Sequence, residues 1–123
     1  MRTGWMIVAC LFAAMPAAHA LEPGSCKVIH GRATYYSADG QLRIWHIGTH
    51  HEFEPDSTSW KRVIAWMYAG VPARHREDSV ELSAAMVRLY GNFLVCPTEP
   101  LHKGAVQPAT IKSVTHRRYE PYE

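Results

Sequence analysis

Two segments rich in β-branched and aromatic residues, Lys27 to Tyr36 (KVIHGRATYY) and Gln41 to Gly48 (QLRIWHIG), flank Ser37-Ala38-Asp39-Gly40. An Asp-Gly pair between such runs is a strong hairpin signal, because glycine takes the positive φ that a tight turn requires. An antiparallel ribbon is therefore expected near the start of the chain, and whatever follows has to bury one of its faces. Gly31 inside the first run suggests a bulge or a close backbone approach, a feature that lets a sheet coil.

From Asp56 the pattern changes. Trp60, Val63, Ile64 and Met67 fall at i, i+3, i+4 and i+7, with Asp56, Ser57, Thr58 and Ser59 as N-cap candidates and Gly70 and Pro72 beyond the end. This predicts one amphipathic helix over about 59–68. ARHREDSVE (73–81) reads as a charged surface connection leading into a helical turn. AAMVRLYGNFLVCP (84–97) is strand-like, with Gly91-Asn92 as a bulge or a turn, and ATIKSVTH (109–116) is a final strand. The polar, proline-containing RRYEPYE reads as a frayed tail. The expected fold is α+β and mainly antiparallel β: a small curled sheet, or an OB-like barrel as its closed version, with one helix and one disulfide.

The disulfide follows from the N-terminal end. Residues 1–20 carry one positive charge at Arg2, an apolar run from Trp5 to Met15 and the small-residue ending Ala18-His19-Ala20, the layout of a secretory signal peptide. Ile7-Val8-Ala9-Cys10 has the look of a lipoprotein cleavage site, but too few apolar residues precede Cys10. Cleavage would leave residues 21–123 as a single small domain with two cysteines, Cys26 and Cys96. An exported domain with two cysteines is most simply read as having one disulfide. The apolar run is shorter than the roughly 20 residues a spanning helix needs, so no membrane span is expected.

After the leader is removed, twelve basic residues stand against eleven acidic ones, a formal charge of +1. No global basic field argues for nucleic acid and no acidic one for disorder. The motifs Gly31-Arg32, Arg43-Ile44-Trp45 with Gly48-Thr49, and Gly91-x-Phe93-x-Val95-Cys96-Pro97 resemble those of a family of small exported bacterial proteins of uncharacterised function. The resemblance covers about two thirds of the mature chain and implies export and a shared fold, not an activity.

Two constellations could carry chemistry. Arg43 and Trp45 alternate onto one side of the second strand, with Arg32 and Tyr36 as neighbours from the first. Such a face binds anionic or planar groups through stacking and bidentate hydrogen bonds. RIWHIGTHHEFEPD (43–56) gathers His46, His50 and His51 with three carboxylates, and imidazole suits zinc or copper. The family pattern does not include the histidine pair. No G-x-S-x-G elbow or H-E-x-x-H helix is present, and both remaining cysteines are expected to be oxidised, so no enzyme is expected. The chain reads as a non-catalytic periplasmic or secreted binding or structural module of unknown ligand, its partner an envelope protein or a small ligand, without a cofactor. The alternative is a zinc- or copper-binding protein built on the three histidines.

Overall fold

The computed structural model describes residues 22–122; the expected leader and Cys10 lie outside the described residues. Strand β1 (Lys27–Tyr36) turns through 37–40 into β2 (Gln41–His46), with Tyr36 opposite Gln41 and Gly40 at φ +65°. The hairpin expected at Asp39-Gly40 is thus present. A short strand β3 (Glu52–Pro55) then pairs antiparallel with β2 through Ile44↔Phe53 and Trp45↔Glu52. Helix α1 (Ser57–Tyr68) buries Ser59, Val63, Ile64 and Met67. A 3₁₀ turn (Ala73–His75) and a five-residue helix α2 (Val80–Ala84) lead to β4 (Val87–Pro97) and β5 (Gln107–Pro121).

The strands close into a barrel in the order β1-β2-β3-β5-β4. Every pairing is antiparallel except β3 with β5, which run parallel through Phe53↔Gln107, Glu54↔Pro108 and Pro55↔Ala109. This is the closed OB-type version of the expected sheet. The core is supplied by alternate positions of the strands, Ile29 and Ala33, Leu42 and Ile44, Phe53, Leu89, Phe93 and Val95, and Ala109 and Ile111, together with the inner face of α1.

Gly31 and Gly91 face one another across β1 and β4. A Cβ at Gly31 would lie 3.0 Å from Phe93 and 3.1 Å from Ile44; one at Gly91 would lie 2.8 Å from the Thr115 carbonyl. The pair therefore marks a close approach and not a bulge on its own strand. The irregularities sit on β5 instead. Between Tyr90↔Arg118 and Asn92↔Thr115 the extra residue belongs to β5, and His116 there takes φ +55°. Extra residues on one strand bend it and raise its twist, which suits a strand that wraps the barrel.

Two expectations need correction. EFEP, read as part of a polar loop, is β3. Residues 117–121, read as a frayed tail, are the second half of β5. Leu89 and Tyr119 pair across β4 and β5. The Tyr119 ring occupies the space beside Gly70 that a side chain would fill, and its hydroxyl donates to the Trp66 carbonyl at 2.8 Å. Polar residues predominate in this stretch because much of it is exposed.

Cys26 and Cys96 are bonded at a sequence separation of 70, one residue beyond the Lys27↔Val95 pair. Among the described residues no helix is long and apolar enough to cross a membrane. Asp56 ties the barrel's parallel seam to α1. Its backbone N–H donates to the Ala109 carbonyl at 2.8 Å, and its carboxylate accepts from Thr58 Oγ1, from the Ser59 N–H and Oγ, and from Thr110 Oγ1. Partial burial pushes this carboxyl up, but the bonds from Thr110, Ser59 and Thr58 outweigh it, and the group titrates below the ordinary aspartate range.

Replacing both cysteines by serine is expected to lower the unfolding free energy by about 4 kcal/mol, read as a fall in the urea midpoint. Asp56→Ala is expected to cost about 2–3 kcal/mol, from the lost cap and the lost charged hydrogen bonds. The stabilisation from Asp56 is complete above the ordinary carboxylate range and fades as pH falls through the lowered folded value. The acid limb of the stability curve should therefore be shallower in Asp56→Ala than in wild type.

Candidate functional site

Strand alternation that sends Ala33, Ile44 and Leu89 inward sends their neighbours outward. One cross-strand row then runs over all five strands: Glu52, Trp45, Arg32, Tyr90 and Arg118, each paired with the next. Arg32 lies over the Trp45 ring at 4.8 Å and Arg118 over the Tyr90 ring at 4.3 Å. In the neighbouring row Arg43 pairs with Thr34, and Arg88 lies over Tyr122 at 4.4 Å. A guanidinium over an aromatic face is attracted by the ring quadrupole while its N–H groups stay available to a further acceptor.

The four residues expected on this face have different roles. Arg32 and Trp45 are in contact, and Trp45 Nε1 donates to the Thr49 carbonyl at 2.7 Å. Arg43 is committed elsewhere. It donates to the Leu42 carbonyl and to Gln41 Oε1, and it lies 3.6 Å from a Glu54 oxygen and 4.0 Å from a Glu52 oxygen. Its side chain is only 15% exposed. Tyr36 is half-buried at the hairpin end, opposite Gln41. Arg88, Tyr90 and Arg118 complete the face from β4 and β5. The alternation in Val87-Arg88-Leu89-Tyr90 could have marked two of them as outward-facing, though not as neighbours of β1.

The histidines lie at one mouth of the barrel. Loops 47–51 and 98–106 enclose a cleft of about 810 Å³ lined by Lys27, His46, His50, His51, Glu52 and Lys103, with Leu101 and Val106 as apolar wall. His51 stacks on Phe53 with ring centroids 4.2 Å apart, and its Nε2 is 3.0 Å from Gln107 Oε1. Gln107 Nε2 donates to the Glu99 carbonyl at 2.9 Å, which sets the amide orientation and makes His51 Nε2 the donor. His50 is exposed on the loop.

Among the described residues no group of three or more His, Cys, Asp or Glu side chains lies where it could hold a metal ion, so His46, His50 and His51 share a cleft without forming a coordination set. The physical reason is that the loop closes as a β2–β3 connection, with the His46 N–H donating to the His51 carbonyl, while the His51 ring is engaged by Phe53 and Gln107.

Burial, then the charges of Lys27 and His51, hold His46 below the ordinary histidine range. Comparison with protein-family models, curated proteins and solved structures found no match, so the chemistry of the faces themselves carries the functional reading.

With its folded value lowered, His46 gives stability that is complete above the unfolded value near 6.5 and lost as pH falls below it. Thermal unfolding between pH 8 and 5 should show a fall in wild type that His46→Gln reduces.

Proposed function

We propose that this chain is a non-catalytic binding module of an oxidising extracytoplasmic compartment, periplasmic or secreted after loss of its leader. On this reading its ligand surface is the arginine and aromatic outer face of the barrel. The observation that carries it is Arg32. This guanidinium lies over the Trp45 ring at 4.8 Å, and no Asp or Glu oxygen is within 4 Å of it among the described residues. Its neighbours Arg43 and Arg118 are each matched to glutamates. A half-buried cation left uncompensated beside an indole suits capture of an anionic or planar group. The disulfide and the resemblance to small exported proteins support the compartment. The near-neutral net charge argues against a nucleic-acid partner.

The test is cosedimentation of the purified mature protein with protease-treated bacterial envelope fragments. Wild type should pellet. The double variant Arg32→Ala/Trp45→Ala should stay in the supernatant while keeping its circular dichroism, and His50→Ala/His51→Ala should behave as wild type. Equal pelleting of wild type and the Arg32/Trp45 variant would remove the proposal. Arg43→Ala is expected to lose about 1 kcal/mol of stability instead, because its charge ties β2 to the glutamates of β3.

A further inference from the structure

Inward-facing strand positions are apolar through the body of the barrel and cease to be so at one mouth. Lys27 alternates with the buried Ile29 on β1 and stands opposite the buried Val95 of β4. His46 alternates with the buried Leu42 and Ile44 on β2 and stands opposite Gly31. His51 comes two residues before the buried Phe53 and stacks on its ring. Lys27, His46 and His51 therefore form one polar tier above Ile29, Ile44 and Phe53, where the core ends.

Two loops close over this tier. The Ile47 N–H donates to the His30 carbonyl at 3.1 Å, which lays the β2–β3 connection along the start of β1. β4 reaches that same start at Lys27↔Val95 and continues into loop 98–106, whose Glu99 carbonyl is bound by Gln107. The cleft between them, about 810 Å³, has the size of a small-molecule site.

Its charge is one-sided. Lys27 enters from β1 and Lys103 from loop 98–106, while His46, His50 and His51 come from β2 and the loop after it. Glu52 on β3 is the one carboxylate among the lining residues, and it lies 4.0 Å from Arg43 Nε. No Asp or Glu oxygen is within 4 Å of Lys27 or Lys103 among the described residues. The tier is close enough to interact: after burial, the charges of Lys27 and His51 are what hold His46 below the ordinary histidine range. Leu101 and Val106, both half-buried, add an apolar wall.

We infer that this cleft binds a small organic anion, a carboxylate or phosphoryl head on an apolar body. Lys27, Lys103 and His46 take the head, and Leu101 and Val106 take the body. Ammonium groups are point charges on flexible stems and accept either kind of head. The site is at the mouth of the barrel, so it does not rest on the outer-face reading above.

The test follows the histidine ring resonances of the full mature protein by NMR, with sodium hexanoate, hexyl phosphate, sodium acetate and hexanol titrated separately at constant ionic strength. His46 should move and saturate with the two long-chain anions, and the one that saturates at the lower concentration identifies the head group. His75 and His116, which do not line the cleft, should stay in place. Acetate should bind about tenfold more weakly for want of the apolar body, and hexanol about tenfold more weakly for want of the charge. The His46 titration midpoint should rise in the saturated complex, because the anion offsets the charges of Lys27 and His51. Lys103→Ala, at an exposed loop position, should weaken the better anion about threefold with the circular dichroism unchanged.

No saturable movement of His46 with either long-chain anion would overturn the site. So would equal movement of His75 and His116, a His46 midpoint that does not rise, or unchanged affinity in Lys103→Ala. Hexanol binding as tightly as the anions would leave an apolar pocket with no role for the charges, and acetate binding as tightly as hexanoate would leave no role for the wall. Either result rejects the proposal.

Discussion

The barrel depends on how its one parallel seam is held. Three residue pairs join β3 to β5, and this is the parallel contact that turns an open sheet of four antiparallel pairings into a closed one. So short a ladder offers little by itself. Asp56 extends it by one residue through its N–H to Ala109 and then starts α1 with its carboxylate, which also holds Thr110 on β5. Ser59 continues the same link. Its hydroxyl donates to Asp56 and accepts from the buried Ile111 N–H, and Arg62 one turn later donates to the Ile111 carbonyl at 2.7 Å. Chain reversal, helix start and barrel closure thus share one set of hydrogen bonds around a single ionised carboxylate.

Closure then sets what the two ends and the outside of the barrel can present. At the mouth, the buried Gln107 amide is satisfied by His51 and the Glu99 carbonyl, which brings loops 47–51 and 98–106 around the cleft. Within the wall, the facing buried glycines Gly31 and Gly91 leave room for Phe93, Ile44 and the Thr115 carbonyl, and the disulfide clamps β1 and β4 at their ends. That pair of strands carries Arg32, Thr34, Arg88 and Tyr90. The arginine and aromatic face is therefore built on paired strands rather than on a loop, which favours fixed positions for its donors.

The parts that were legible in the sequence were those set by short-range chemistry. Asp39-Gly40 announced its hairpin because the turn needs a positive φ within four residues, and the 3.6-residue spacing of Trp60, Val63, Ile64 and Met67 announced α1 for the same local reason. Glu-Phe-Glu-Pro did not read as a strand, because four residues ending in proline carry too little propensity until β2 and β5 flank them. Arg117 to Pro121 read as a tail because its anchors, Tyr119 against Gly70 and the Trp66 carbonyl and Arg117 over the Trp66 ring, lie more than forty residues away. The histidine-rich loop looked like a ligand set because proximity in sequence resembles convergence in space, and here it is not.

By itself the sequence determined which side chains point in or out along the strands of the first hairpin, where the chain reverses there, and which two cysteines are available to one another. These follow from side-chain periods and turn geometry that act over a few residues. Only the tertiary structure decided which outward residues become neighbours: that Tyr90 comes beside Arg32, that Arg43 meets the glutamates of β3 while Arg32 does not, and that β3 meets β5 in parallel. Those adjacencies depend on the register between strands that are up to some sixty residues apart. A slip of one residue in any such register would exchange every partner on the face, and local pattern carries no information about it.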